Sequence, residues 1–154
     1  MKRVLIKILS RIFLIFAWFV PFSAGRKFFH KLRGVKIAPG VEIGYFVIID
    51  HNYPDYITIN QNCVIAAKST ILAHDDGKKE YSQIKKTIIG KNCFLGINSV
   101  ILPGVKIGNN SIIGANTVVN KNIPKNSLAV GTPAKIIKKY STFKNNLQSH
   151  KNFN

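Results

Sequence analysis

Hydrophobic and polar positions along residues 87–123, TIIGKNCFLGINSVILPGVKIGNNSIIGANTVVNKNI, repeat with a period of six. Ile89, Leu95, Ile101, Ile107, Ile113 and Val119 stand six residues apart without a break, and two residues before each comes Thr87, Cys93, Ser99, Val105, Ser111 or Thr117. Strand alternation turns both members of each pair to the same face. Glycine follows the aliphatic at positions 90, 96, 108 and 114, and asparagine stands three after it at 92, 98, 110, 116 and 122. Both residues tolerate positive φ and so permit sharp corners. Each unit is therefore a strand of two or three residues and a corner, with an aliphatic turned inward. A period of six predicts a β-solenoid.

The rhythm starts at Val35 with Ile37, Ile43 and Ile49 as its first inward column, then slips, because the next member, Ile59, comes ten residues later. The extra residues, Asp50 to Tyr56, predict an outward loop over 50–56. Rhythm resumes through Ile59, Ile65 and Ile71, and a second excursion over 75–86 follows His74. Loops inserted in solenoids collect on the binding face, where function is usually carried. Beyond Ile123-Pro124, Ser127–Val130 reads as a closing strand. Thr132 as N-cap and Pro133 at the first helical position then predict a helix from Pro133 to about Tyr140, followed by a frayed tail to Asn154.

Residues 1–34 differ in composition. Lys2, Arg3, Lys7 and Arg11 recur at helical spacing beside Val4, Leu5, Ile8, Leu9 and Ile12, which predicts a basic amphipathic helix. The charge-free run from Ile12 to Gly25 contains Pro21 and is closed by Arg26 and Lys27. It is shorter than the ~20 residues of an ordinary membrane span. It suits a helix or helical hairpin lying in a membrane interface, with Trp18 and the phenylalanines as anchors. Two alternatives are a cleaved signal peptide, with Ser23-Ala24-Gly25 as the cleavage region, and a helical cap over the open end of the solenoid. The chain thus divides into a helical segment (1–34), a solenoid domain (35–131) and a C-terminal helix and tail (132–154).

Charge narrows the partners. The 154 residues hold 23 Lys+Arg against 6 Asp+Glu, a formal net charge of +17. Such a chain favours an anionic partner: nucleic acid, a phospholipid surface, or a phosphorylated substrate. A solvated lysine-rich surface accounts for part of it. Cys63 and Cys93 fall two residues before inward aliphatics, so they read as small core residues. No CxxC and no His/Cys cluster supports a metal site or disulfide framework, and the reduced cytoplasm is the consistent compartment.

His74 takes the corner slot three after Ile71, where asparagine stands in later coils, so its imidazole faces outward. A neutral imidazole within reach of a hydroxyl can take its proton during attack on a carbonyl, which is worth roughly 10²–10⁴-fold. No activated Ser or Cys suggests a covalent intermediate.

Two stretches carry a resemblance. Thr70-Ile71-Leu72-Ala73-His74-Asp75, and the segment 89–139 from IGKNCFLG through NKNIP to GTPAKIIKK, are similar to hexapeptide-repeat acyltransferases, in particular sugar O-acetyltransferases of the galactoside and maltose type. The resemblance implies a mainly β fold, a left-handed parallel β-helix with three hexapeptides per coil, here with an N-terminal hydrophobic helical segment and a short C-terminal helix. It implies a homotrimer whose sites lie between neighbouring β-helices, the base coming from one subunit and part of the cofactor wall from the next. Acetyl-CoA is then the donor and His74 the base. Asp50 corresponds to an acidic residue that contacts acceptor hydroxyls, although an Asx-turn in the loop explains it equally well. Asp75, Asp76 and Glu80 become candidates to orient the imidazole or bind sugar. Phe94, Gly96, Ala115, Asn120, Lys121, Lys135 and Lys138 would line the coenzyme A groove, the lysines facing its phosphates. Two departures stand out: Phe94 replaces a tryptophan of the cofactor wall, and Ile97 stands where a small polar residue is common.

The expected function is direct, metal-free transfer of acetyl from acetyl-CoA to a hydroxyl of a cell-envelope saccharide of capsule, O-antigen or lipooligosaccharide type, lipid-linked or polymeric. The expected location is the inner face of the plasma membrane, with residues 1–33 on an anionic surface and no nucleic acid bound. Three readings compete. An N-acetyltransferase acting on a nucleotide-linked amino sugar commonly carries an additional nucleotide-binding domain, which 34 hydrophobic residues do not make. A zinc enzyme of the carbonic-anhydrase kind needs three histidine ligands, and only His51 and His74 lie near the coils. A non-catalytic basic module would bind lipid or nucleic acid and be indifferent to His74→Ala.

Overall fold

The computed structural model of the chain describes residues 2–75, 77 and 83–140, with side chains from Ser10 onward. The six-residue rhythm winds into a three-sided parallel β-helix in which each coil supplies one short strand to each of three sheets. The first sheet stacks β1 (Lys36–Ile37), β4 (Ile57–Ile59), β7 (Thr87–Ile89) and β10 (Lys106–Ile107). The second stacks β2 (Glu42–Ile43), β5 (Val64–Ile65), β8 (Phe94–Leu95), β11 (Ile112–Ile113) and β13 (Ser127–Val130). The third stacks β3 (Ile48–Ile49), β6 (Thr70–Ile71), β9 (Val100–Ile101) and β12 (Val118–Val119).

Register puts like on like. Ile37 pairs with Ile59, Ile59 with Ile89, and Ile89 with Ile107. Ile43, Ile65, Leu95, Ile113 and Ala129 run down the second sheet, and Ile49, Ile71, Ile101 and Val119 down the third. All of these side chains are buried in one continuous core. The smaller column two residues earlier is buried too, and its polar members find partners: Ser69 Oγ donates to Gly96 O, Thr87 Oγ1 to Leu72 O, and Cys63 Sγ to Gly90 O. Both cysteines are free and buried, as their spacing implied. Burial with a partner avoids the roughly 1–3 kcal/mol that an unpaired buried group costs.

Two of the three edges are sharp. At one, Asn62, Asn92, Asn110 and Asn126 adopt φ between 55° and 59°, and their side chains form a ladder in which each amide donates to the next. At the second, Phe46, Lys68, Asn98 and Asn116 hold the same conformation. The third edge, between the third and first sheets, carries both predicted excursions. The first contains a 3₁₀ turn at Pro54–Tyr56. The second lies partly outside the described residues.

The N-terminal segment forms two helices, α1 (Lys2–Phe19) and α2 (Ser23–Leu32), packed on the first coil. An open coil end leaves backbone groups without a neighbouring strand, and the hairpin supplies partners. Arg26 Nε donates to Ile43 O at 2.7 Å, Trp18 Nε1 to Val47 O at 3.0 Å, and Arg33 Nη2 to Ile49 O at 2.8 Å; Ser23 Oγ accepts from Ile43 N. The segment therefore caps the solenoid, one of the roles its sequence allowed. Among the described residues no helix is long and apolar enough to cross a membrane.

The C-terminal helix expected from Pro133 to Tyr140 is instead a strand, β14 (Lys135–Lys139), antiparallel to β13. Thr132 caps no helix; its Oγ1 donates to Asn116 O, and Gly131 at φ +98° turns the chain back. The reason is tertiary. The outer edge of β13 presents unpaired N–H and C=O groups, while an eight-residue helix with no face to bury is marginal. The adjacent β-branched Ile136 and Ile137 also favour extended backbone. Every residue of β14 is exposed, so its gain is backbone pairing and not burial.

Candidate active site

The third edge gathers the chemistry. Ile49 turns inward at the end of β3, so the next residue, Asp50, stands at the edge as its loop departs. One coil on, Ala73 and His74 leave β6 beside it. Asp50 is fully buried and His74 is 7% exposed. Five N–H groups converge on the Asp50 carboxylate: Oδ1 accepts from Asn52 N at 2.9 Å and Tyr53 N at 3.0 Å. Oδ2 accepts from Ala73 N at 2.8 Å, His74 N at 3.1 Å and His74 Nδ1 at 2.5 Å. The Asx-turn alternative is thus what the structure contains, and no Asp50 oxygen is exposed to meet an acceptor hydroxyl. Burial pushes this carboxyl up, but the N–H groups of Ala73, His74, Tyr53 and Asn52 outweigh it and hold it below the usual carboxylate range.

An ionised carboxylate only accepts, so His74 Nδ1 carries the proton and Nε2 keeps its lone pair. The Asn52 amide lies 3.3 Å from Nε2 and donates to it. The His51 and Tyr53 rings stand edge-on to the imidazole, with centroids 5.5 and 5.2 Å away. Burial, aided by His74, Arg11 and Arg33 against the pull of Asp50, lowers the His51 pKa. Behind Asp50 lies a residue that sequence reasoning passed over. Arg33, at the end of α2, donates from Nη2 to Asp50 O at 2.7 Å and from Nε to Ser10 Oγ at 3.2 Å. Burial lowers its pKa to about 10, against the opposing pull of Asp50, so it stays charged at neutral pH. A lone arginine after an amphipathic run carries no signal of this role.

Asp75, Gln83, Lys85, Leu102, Pro103 and Asn120 line a groove of about 340 Å³ on the same edge. Asp75 follows His74 but accepts from Gly77 N and does not orient the imidazole; that position belongs to Asp50. Asp76 and Glu80 lie outside the described residues. Of the residues expected to hold coenzyme A, only Asn120 borders this groove, with Lys121 exposed next to it. Phe94 is half-buried on β8, Lys135 and Lys138 are exposed on β14, and Ala115 is exposed at the corner after β11. These belong to the second sheet, the face opposite the loop edge. Gly96 is buried, and a Cβ there would come 2.5 Å from Ala115 N, so coil stacking demands glycine whatever the surface binds. Among the described residues no three His, Cys, Asp or Glu side chains converge on one point.

The bacterial transferase hexapeptide family (six repeats) matches residues 86–121. The chain is 34% identical over 123 residues to the "Putative acetyltransferase YvoF" of Bacillus subtilis (strain 168), covering 79% of this chain and 70% of that one. It is 37% identical over 100 residues to the "Putative lipopolysaccharide biosynthesis O-acetyl transferase WbbJ" of Escherichia coli (strain K12), covering 55% of this chain and 51% of the relative. Among solved structures, a galactoside acetyltransferase in complex with coenzyme A shares the fold, with TM-score 0.65 across 93% of this chain and 88% of that one at 21% identity. The six-residue repeat, the three-sided coil it winds, and a relative matched along most of its length lead to one conclusion: the chain belongs to the bacterial hexapeptide-repeat transferases, and is an acyltransferase built on a left-handed β-helix.

Proposed function

We propose that this acyltransferase moves an acetyl group from acetyl-CoA to a hydroxyl of a cell-envelope saccharide, with His74 as general base and Asp50 as its positioning residue. One observation carries the reading: a buried carboxylate, held by four backbone N–H groups, accepts a hydrogen bond from His74 Nδ1–H, which makes Nε2 the accepting nitrogen of the ring. A hydroxyl arriving at Nε2 takes the position of the Asn52 amide. As its oxygen bonds to the thioester carbonyl carbon, its proton passes to Nε2, the C–S bond breaks, and the imidazolium returns the proton to the departing thiolate. Asp50 fixes the tautomer of the neutral ring through Nδ1–H and then stabilises the imidazolium that forms. Four backbone donors hold the carboxylate in place, so the ring is oriented before substrate arrives.

The donor assignment is supported by the coenzyme A complex of the galactoside acetyltransferase and by the chemistry of the second sheet. Phe94 offers a flat apolar wall, and Lys135 and Lys138 offer cations to phosphates. Within one chain these lie away from His74, which supports a homotrimer in which the face of one subunit meets the loop edge of the next. The name of the WbbJ relative supports a saccharide acceptor. A lipid-linked acceptor at the inner membrane face belongs to the same proposal.

The test pairs calorimetric titration of acetyl-CoA with coenzyme A release, using wild type and His74→Ala and a panel of galactosides and envelope polysaccharides. The expected result is similar donor affinity in both proteins and saccharide-dependent release by wild type alone. Equal release by the variant removes the base assignment, and absence of binding in both removes the donor. A sedimentation mass of a single chain removes the trimer.

A further inference from the structure

The cap is built inside out for a water-facing end. Its inner face buries Ser10, Arg26, His30 and Arg33 together with Leu14 and Ala17. Its outer face presents Ile12, Ile15, Phe16 and Phe19 on α1, Phe22 in the turn, and Phe28 and Leu32 on α2, each between 43% and 68% exposed. Terminal caps of solenoids need a polar outer face to stay soluble, and an amphipathic helix normally turns its apolar stripe to the core. Here α1 carries exposed apolar residues at 12, 15, 16 and 19, the spacing of a single helical stripe.

A second feature extends the same patch. Tyr45 and Phe46 are each 43% exposed at the corner of the first coil, and the Phe46 ring meets Phe19 edge-on at 5.9 Å. Phe46 has φ 56°, in the column where later coils place Lys68, Asn98 and Asn116. A bulky side chain is poorly suited to the left-handed region, whereas asparagine enters it readily. The chain therefore carries an aromatic at a corner where its own later coils use polar residues.

Charge identifies what covers the patch. Arg11 and Lys31 are exposed beside the stripe and Lys27 is partly so, while no acidic residue occurs before Glu42. We propose that the outer face of the α1–α2 hairpin, with Phe46 and Tyr45 at its rim, docks on the surface of an anionic phospholipid bilayer, the aromatic and aliphatic side chains entering the interface and Arg11, Lys27 and Lys31 meeting headgroups. No described helix spans a membrane, and separate protruding rings flanked by cations fit an interface better than a shaped protein pocket. A second copy docked face to face would bring like charges together. The proposal stands independently of acetyl transfer. It also puts the acyl-transfer edge close to the membrane, since Asp50 lies in the first coil and His74 in the second, and coils are spaced about 4.8 Å apart.

The experiment is flotation of the full-length protein with phosphatidylcholine vesicles, with and without one third phosphatidylglycerol. It compares wild type with the Phe16→Ser/Phe19→Ser/Phe22→Ser triple variant and with Phe46→Asn, each first verified as folded by thermal melting. Wild type is expected to float with phosphatidylglycerol vesicles and to be released by salt, and the triple variant to bind at least about tenfold more weakly. Phe46→Asn is expected to bind more weakly while melting higher. Failure of wild type to float, equal flotation of the triple variant, or equal binding to pure phosphatidylcholine overturns the proposal. A wild-type assembly that fails to float, and that the triple substitution dissociates, makes the occupant a second copy and overturns it as well.

Discussion

Replacing Asp50 by asparagine tests how the His74 imidazole is held. Two N–H groups face Oδ1, and two N–H groups plus the Nδ1 proton face Oδ2. An amide has one accepting oxygen. If that oxygen takes the Oδ2 position, the NH₂ group confronts the N–H groups of Asn52 and Tyr53. If it takes the Oδ1 position, the NH₂ group confronts Ala73 N and His74 N, and the imidazole must turn Nδ1 into an acceptor, which moves its proton to Nε2. Either way two buried donors lose their acceptor, at roughly 1–3 kcal/mol each, so the variant is expected to lose about 2–6 kcal/mol of stability. In the first orientation the imidazolium loses its counter-charge, and in the second the base is gone, so kcat is expected to fall about 10²–10⁴-fold. KM for acetyl-CoA is expected to hold, because none of the residues proposed to bind the donor is among the partners of the Asp50 carboxylate. The stability cost also has a pH signature. A depressed carboxyl stabilises the fold fully above its unfolded pKa near ~3.9 and loses that contribution as pH falls through its folded pKa, so the gap between wild type and variant narrows below about pH 4. The assays are steady-state coenzyme A release below the variant's melting temperature and denaturant unfolding across pH. A folded variant with a wild-type rate would refute the role given to Asp50.

Three further predictions follow from buried groups and surface placement. His30 is buried, accepts from Arg33 through Nδ1, and has a pKa lowered to about 3 by burial and by Arg33. Its folded pKa lies below its unfolded value of 6.5, so the unfolded chain binds the extra proton. Through His30 alone, stability therefore falls as pH drops from about 6.5 to about 3, by about 1.4 kcal/mol per pH unit; denaturant melts across that range should show the slope, and His30→Gln should reduce it to the part contributed by His51, whose pKa is also lowered by burial. Gly96→Ala should destabilise by roughly 1–3 kcal/mol through collision with the next coil, while donor affinity in surviving folded protein stays unchanged. Lys135→Ala with Lys138→Ala should weaken acetyl-CoA binding in calorimetry, more at low salt than at high, and leave the melting temperature unaltered, since both side chains are exposed on β14.

The six-residue spacing by itself determined the coil, its inward columns and the places where it is interrupted, because a strand of two residues has only one inward side chain and any slip in the count must leave the surface as a loop. Ile49 and Ile71, matched by register across one coil, were legible as neighbours for that reason, but the corner slot expected to turn His74 outward is buried, because the loop after Asp50 packs Asn52 and Tyr53 against the imidazole. Which partner orients that imidazole was not legible. Asp75 and Asp50 are both acidic residues at loop starts, and only the stacking of the first coil on the second brings Asp50 Oδ2, and not Asp75, to Nδ1. The fate of residues 133–140 was likewise tertiary, since local capping signals favoured a helix and an unpaired edge on β13 claimed the backbone instead. The hairpin 2–32 shows the same division. Its helices follow from periodicity, but which stripe faces the coil depended on the carbonyls of Ile43, Val47, Ile49 and Asp50, which draw Arg26, Trp18 and Arg33 inward and leave Phe16, Phe19, Phe22 and Phe28 outside. A buried carbonyl without a neighbouring strand outweighs a side chain's own preference for the interior.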